Sequence, residues 1–259
     1  MDLGLTGKTA IVCGSSQGLG RACAAQLSAE GASVIINGRD SDKLARVADE
    51  MRQNAVGKIT PVVADLSTEA GRATLLDACP DPDILVNNNG GPPFKPFGAL
   101  AMDDVRQGVE MNMITPIALI QAVVEGMVAR RFGRIVNITS VSVKMPVAGL
   151  DVSSGARAGL TGFAAGVART VAQHNVTINQ LLPGYFATER LMQGFAATAQ
   201  TTGMDAEQAA DQWRSQVPAQ RFGTPEEFAQ TCAFLCSAQA GYLTGQNILL
   251  DGGLHKAAF

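Results

Sequence analysis

The sequence predicts one doubly wound α/β domain with a parallel sheet, and three observations predict it. Short apolar runs alternate with amphipathic stretches almost from end to end of the 259 residues. The runs are rich in Val, Ile and Leu without polar alternation, as parallel strands buried on both faces require. A glycine-rich turn joins the first run to the first amphipathic stretch. Repeated strand–helix–strand order then forces right-handed crossovers and a sheet covered by helices on both faces.

In chain order, the first strand is 8–13 and the helix after the glycine turn is 18–30. Strand 33–37 leads to helix 41–54, where Ser41 offers a cap ahead of Leu44. Strand 59–63 precedes helix 67–79, which opens on Ser67 with Glu69 and Ala70 in its first turn. Strand 83–87 is followed by a loop and one long helix over 102–131. Strand 134–139 precedes helix 153–173, and strand 177–182 leads into an excursion over 186–220. That excursion holds two short helices, around Leu191 and over 206–216. Helix 225–237 opens on Thr224-Pro225-Glu226-Glu227, with proline at the first helical position and acids behind it. Strand 246–250 closes the sheet. No linker or repeat divides the chain, so 1–259 reads as a single domain. The 186–220 excursion lies near the carboxyl edge of the sheet and reads as a substrate lid, with a plain structural insertion as the alternative.

Hydrophobic residues make up 46% of the chain and charged ones 17%, enough for a buried core and against disorder. A net charge of −3 without basic runs argues against nucleic acid or an anionic membrane as partner. Aromatics at 5% leave no base-stacking platform. Residues 1–6 lack the basic start and apolar stretch of a secretory signal. The apolar stretch 113–129 carries Gln121 and Glu125, which interrupt it as a membrane span. A cytoplasmic location is the expectation. Cys13, Cys23, Cys79, Cys232 and Cys236 are odd in number and show no metal-ligand spacing, so they read as core residues and no metal is expected.

The first strand runs into Cys13-Gly14-Ser15-Ser16-Gln17-Gly18-Leu19-Gly20 and then a helix. Glycines there permit a tight turn and a close approach of backbone to a pyrophosphate, and the helix amino terminus supplies amides and a favourable dipole. The placement makes the domain Rossmann-type. The next strand ends Asn37-Gly38-Arg39. An NAD enzyme places an acid near this point for the ribose hydroxyls. Here Gly38 removes that repulsion and Arg39 offers a fork for a phosphate, so NADP(H) is expected over NAD(H). A solvated Arg39 beside a capping Asp40 is the plainer alternative.

Further segments, in order along nearly the whole chain, resemble the short-chain dehydrogenase/reductase family. They are Gly14…Gly18…Gly20, Asp65, Asn87-Asn88-Asn89-Gly90 with Asn89 in place of alanine, Met111-Asn112-Met113, and 133–140 ending in Ser140. Pro183-Gly184-Tyr185-Phe186-Ala187-Thr188, 221–227, and Thr244-Gly245-Gln246…Asp251-Gly252-Gly253 complete the set. The resemblance implies cofactor contacts from Gly14, Ser16, Gln17, Gly18, Leu19 and Gly20, from Arg39, Asp65 and Leu66, and from Asn88 and Gly90. It implies further contacts from Arg157, Pro183, Gly184, Phe186 and Thr188. Asn112 corresponds to the family's helix-bending, water-holding asparagine and Ser140 to its catalytic serine. The resemblance also implies a homo-dimer or homo-tetramer built through a long helix pair and the last strand. Small residues Ala164, Ala165, Gly166 and Ala168 would allow that close packing, and packing within the subunit explains them as well.

One departure bears on chemistry. The family has tyrosine thirteen residues after its serine and lysine four further on; counting from Ser140 lands on Ser153 and Arg157. Neither tyrosine of the chain, Tyr185 or Tyr242, falls at that spacing. A phenol with a pKa of about 10 beside a cation can donate a proton to a developing alkoxide. Ser153 is shorter and far less acidic, and Arg157 holds an anion without releasing its own proton. Both stay on one helix face. Three readings follow. The chain is an oxidoreductase acting on a carbonyl or alcohol, in which Ser140 and Arg157 stabilise the oxyanion and a water on Ser153, or Lys144, Asp151 or Tyr185, supplies the proton. It binds NADP(H) with little chemistry, as a sensor or regulatory subunit. Or it acts slowly on an activated carbonyl. The persistence of Asn112, Ser140 and a cation at 157 favours the enzyme, although Ser140 could merely satisfy backbone groups.

The loop 90–97 holds Pro92, Pro93 and Pro96 with Phe94 and Phe97, and reads as a rigid substrate wall or as a cap on the next helix. His174 and His255 are assigned no function.

Overall fold

A computed structural model of the chain describes residues 2–92 and 94–257; Pro93 of the proline loop lies outside the described residues, as do the chain ends. The seven strands are β1 (Thr9–Val12), β2 (Ser33–Gly38), β3 (Ile59–Val63), β4 (Ile84–Asn87), β5 (Gly133–Ile138), β6 (Val176–Pro183) and β7 (Asn247–Leu250). They form one parallel sheet in the order β3-β2-β1-β4-β5-β6-β7. The order reverses between β1 and β4, where Ile11 is in register with both Ile35 and Leu85. A crevice opens beyond the carboxyl ends of strands at such a reversal. The expected doubly wound Rossmann-type sheet is therefore observed.

Period-two alternation sends Ala10 and Val12 into one apolar layer and Ile11 into the other. The first layer is closed by α1 (Gly18–Ala29), α2 (Ser41–Arg52) and α9 (Pro225–Cys236), and it buries Cys23, Cys232 and Cys236 completely. The second is closed by α3 (Glu69–Ala78), α5 (Thr115–Arg130) and α6 (Asp151–Val171). Ala164 and Ala168 of α6 belong to this layer, whereas Ala165 and Gly166 face outward. All five cysteines are free and buried.

Two helix starts differ from expectation by two residues, and two caps fall one residue from the serine expected. Asp40, not Ser41, caps α2 by accepting from the Lys43 amide. Thr68, not Ser67, caps α3 by accepting from the Gly71 amide. Helix α6 begins at Asp151 rather than at 153. Thr224 and Glu227 cap α9 reciprocally, as the motif requires.

The long helix expected over 102–131 is instead three pieces: α4 (Met102–Val109), a π turn over Glu110–Ile114, and α5. Pro116 has no N–H, so the Asn112 carbonyl loses its partner four residues on. The turn widens, and the Thr115 amide donates to Glu110 O, five residues back. By length and composition Met102–Arg130 passes as a membrane-crossing helix despite Gln121 and Glu125. Its apolarity has a packing cause on one side, since Leu119, Ile120, Val123 and Met127 are buried in the second layer.

The excursion after β6 carries α7 (Glu189–Thr202) and α8 (Ala206–Arg214). Its base is pinned where Phe186 bridges Gly223, with the Ala187 amide donating to Gly223 O at 2.9 Å and the Gly223 amide to Tyr185 O at 3.0 Å. Trp213 of α8 packs on Phe195 of α7 (centroids 5.4 Å apart) and on Tyr185 (5.0 Å), which holds the two helices over the carboxyl edge of the sheet.

Candidate active site

The glycine turn is tight because three segments meet in it. Gly14 sits at φ +53°, and a β-carbon there would lie 2.4 Å from Asn88 O. A β-carbon on Gly20 would lie 2.5 Å from both Asn88 Nδ2 and Gly14 O, the two atoms joined by a 3.0 Å hydrogen bond. No side chain caps the amino terminus of α1, so its amides face the crevice. Asn37 was not anticipated, yet it clamps this corner. Its amide group donates to Val62 O and Ala64 O, and its Oδ1 accepts from the Gly14 amide.

Ser16 lies against Gly38, where a β-carbon would come within 3.1 Å of Ser16 Cβ. Arg39 is exposed and pairs with no carboxylate among the described residues. It stands near Asp65, whose carboxyl is held below the usual range by bonds donated from the Ser67 hydroxyl and amide, with Arg39 adding to the effect. Leu66 turns its side chain into the core, leaving its carbonyl to accept from Arg72 Nη1 and Thr115 Oγ1.

A cavity of about 290 Å³ opens at the β1–β4 reversal. It brings together Gly14, Gln17, Gly18, Leu19, Asn88, Gly90, Ser140, Ser153, Arg157, Pro183, Gly184, Phe186 and Thr188. Ser16, Gly20, Arg39, Asp65 and Leu66 are outside its lining. Asn112 stands behind the wall, donating to Gly90 O at 3.2 Å, and its buried Oδ1 has no partner among the described residues.

Ser140 lies two residues beyond β5, and its oxygen accepts from the Ser142 amide at 3.1 Å, which leaves its hydroxyl proton free to donate. Arg157 donates through Nε to Ser153 Oγ (3.1 Å), through Nη1 to Ile138 O (2.7 Å) and through Nη2 to Asn89 O (3.3 Å). Burial, and then the like charge of Arg190, bring its pKa down to about 10, so it remains a cation at neutral pH. Asn89 donates from Nδ2 to Met111 O at 2.6 Å, tying this wall to the π turn.

A sequence family described as enoyl-(acyl carrier protein) reductase matches residues 14–255. A solved structure described as a short chain dehydrogenase/reductase family protein is 31% identical, covering 98% of this chain and 99% of its own at a TM-score of 0.84. The chain belongs to the short-chain dehydrogenase/reductase family. Another member, the 3-oxoacyl-[acyl-carrier-protein] reductase FabG of Aquifex aeolicus, is 32% identical over 258 residues, covering 98% of this chain and all of its own. The L-sorbose reductase of Gluconobacter frateurii, solved with NADPH and L-sorbose, is 28% identical with a TM-score of 0.93 over 99% of this chain and 100% of its own.

In this short-chain dehydrogenase/reductase, several residues around the cavity escaped the sequence reading. Arg190, second residue of α7, lines it and donates to Gly91 O and Pro92 O. Lys43 donates to Gln17 Oε1 and lies 3.7 Å from Glu189, bridging the glycine turn and the start of α7. Trp213, Val147 and Leu150 supply apolar lining. Of the three candidate proton donors, only Tyr185 reaches the cavity, and burial raises its pKa. Lys144 and Asp151 are exposed and outside the lining. The proline loop divides its duties: Phe94 lines the cavity, Phe97 is 83% exposed, and Lys95 pairs with Asp104 of α4 at 2.6 Å.

Proposed function

We propose that this chain is an NADP(H)-dependent oxidoreductase acting on a carbonyl or alcohol, with Ser140, Ser153 and Arg157 at its centre and a proton donor other than a tyrosine–lysine pair. One observation carries this reading: a single cavity has the glycine turn on one side and Ser140, Ser153 and Arg157 on the other. The residues present fit a dinucleotide. Gly14 and Gly20 leave no space for side chains, so backbone amides line the turn and suit a pyrophosphate at a helix amino terminus. Gly38 and Arg39, which meets no carboxylate among the described residues, suit a ribose 2′-phosphate, with Asp65 and Leu66 bordering the adenine end. The L-sorbose reductase relative was solved with NADPH, which agrees with that choice. When bound, NADPH supplies hydride to the carbonyl carbon while solvent supplies a proton to its oxygen, giving alcohol and NADP⁺.

The chain's own groups then divide the work. Ser140, with its oxygen occupied by the Ser142 amide, donates its proton in a hydrogen bond to the substrate oxygen. Arg157 stays charged and stabilises the negative charge that develops there. Ser153 accepts from Arg157 Nε, so its hydroxyl points its remaining bonding capacity at the cavity and holds a water that delivers the proton. The orphaned Oδ1 of Asn112 is a second place for water to bind. Tyr185 lines the same cavity and is the alternative donor, although burial makes it a weaker acid than an ordinary phenol. The 186–220 excursion serves as the substrate lid. We also propose a homo-dimer or homo-tetramer, supported by the outward-facing Ala165 and Gly166 of α6 and by β7 at the sheet edge.

The test is NADPH consumption across ketones, aldehydes and acyl thioesters, with Ser140→Ala expected to lower kcat about 100-fold or more. Tight NADPH binding with no oxidation across that panel would leave a binding protein and overturn the reaction.

A further inference from the structure

The cavity holds more positive charge than the proposed reaction needs. Arg157 and Arg190 both line it, and neither is ion-paired with a carboxylate among the described residues. Glu189 is the one acid among the lining residues, and it stands 3.7 Å from Lys43. The two guanidiniums are close. Arg157 Nε donates to Ser153 Oγ at 3.1 Å, and a β-carbon built on Gly91 would lie 3.7 Å from that same Oγ and 2.8 Å from Arg190 Nη2. Arg190 uses one N–H on each terminal nitrogen for Gly91 O and Pro92 O, at 3.3 and 3.1 Å, so three of its five donors remain for a ligand.

We propose that the substrate carries a carboxylate beside its carbonyl, and that Arg190, seconded by Arg157, is the residue that selects it. This rests on the oxidoreductase reading above. Arg157 is partly buried and Arg190 exposed, and two like charges facing each other across one cavity repel unless an anion joins them. The cofactor's phosphates do not meet that need, since their cradle is the glycine turn and Arg39, whereas Arg190 stands across Gly91 from Ser153. Phe94, Val141, Val147, Leu150 and Trp213 give the remaining wall an apolar character, suited to a hydrocarbon portion behind a single charged head. A guanidinium fork matches a carboxylate in two parallel hydrogen bonds, which fixes the carbonyl's orientation as well as its affinity. Arg190 sits on the second residue of α7, so substrate charge also draws the excursion toward the cavity.

The experiment has two arms on the full chain with NADPH. In the first, a 2-oxo acid with a phenylalkyl side chain is compared with its methyl ester; the acid is expected to have a kcat/KM about 10- to 100-fold higher, the worth of a charge-assisted pair. Arg190→Met brings that ratio close to one by raising KM for the acid, and Arg190→Lys keeps part of it. Equal turnover of acid and ester by the unaltered chain overturns the proposal. So does an Arg190→Met variant that keeps the acid preference but binds NADPH about tenfold more weakly, which would give the arginine to the cofactor. In the second arm, phenylacetate and phenylacetamide are titrated against the NADPH complex by cofactor fluorescence. Phenylacetate binding that Arg190→Met removes, with no NADPH oxidised by any substrate, sustains this inference while the oxidoreductase reading fails. NADPH oxidation without carboxylate binding does the reverse.

Discussion

Replacing Arg157 by lysine isolates what the guanidinium does beyond carrying charge. Its three hydrogen bonds end on three segments: Ile138 O at the end of β5, Asn89 O after β4, and Ser153 Oγ on its own helix. A lysine ammonium presents its donors from one atom and cannot span all three, so at least one acceptor loses its protein partner. A buried unsatisfied acceptor costs about 1–3 kcal/mol, and water entering the cavity recovers part of that, so we expect a total of about 1–3 kcal/mol. For a domain of this size that lowers Tm by about 3–10 °C. The loss should also depend on pH. Burial and Arg190 pull the arginine's pKa down to about 10, and the same surroundings pull a lysine below its ordinary value of about 10.4. Its native state then binds fewer protons than its unfolded state, so the variant gains stability as pH rises through the interval between the two values. The arginine, with its pKa at about 10, stays charged up to about pH 9. Thermal unfolding followed by circular dichroism, from about pH 6 to about pH 10.5 without cofactor, reads both effects. An unchanged Tm with no pH-dependent gap between the proteins would show that the three bonds do not anchor this wall.

Arg39→Ala should weaken NADPH binding about 10- to 100-fold and leave NADH nearly unchanged, as read by fluorescence titration; equal losses for both would remove the 2′-phosphate assignment. Gly20→Ala places a β-carbon 2.5 Å from Gly14 O, so we expect about 1–3 kcal/mol lost in urea unfolding together with loss of NADPH binding. Glu227 is held down to about 2, first by the hydrogen bond from Arg221 and then by the Thr224 amide. A lowered carboxyl stabilises the fold above its unfolded pKa and ceases to do so as pH falls toward the folded value. Glu227→Gln is thus expected to unfold at lower urea than the parent chain at pH ~7, with the gap narrowing steadily below pH ~4.5. Restoring Ser153→Tyr with Arg157→Lys should raise NADPH-dependent turnover if water on Ser153 limits proton delivery; no rise would point to a donor such as Tyr185.

The sheet was legible because its inner strands are buried on both faces and all seven are rich in Val, Ile and Leu without polar alternation, which placed each within about two residues. Helix starts were less legible. Asp40 and Thr68 cap their helices where Ser41 and Ser67 compete for the same job with equal chemistry, and only the backbone path decides between neighbours. The π turn had a visible sign in Pro116, four residues after Asn112, but an apolar helical period running through both sides of it conceals a local change of turn width.

The site divides along the same line. Ser153 and Arg157 are one helical turn apart, so their sequence spacing already contains their geometry. Asn37, Lys43 and Arg190 meet the site through long connections, and no spacing contains that. Charge hides them further, because a chain with a net charge of −3 gives no hint that its cavity concentrates cations. Arg157 by itself reads as a substitute holder of ribose hydroxyls. With Arg190 beside it, on the first turn of α7 and ion-paired with no carboxylate among the described residues, the cation at 157 becomes half of the proposed anion site. The departure at 153 then has a physical context: Gly91 and the short serine leave open the space that separates the hydroxyl from Arg190, and a phenol ring at 153 would compete for it. On that argument, Ser153→Tyr should cost carboxylate binding even where it restores a proton donor, and the two effects can be read separately in phenylacetate affinity and in ester turnover.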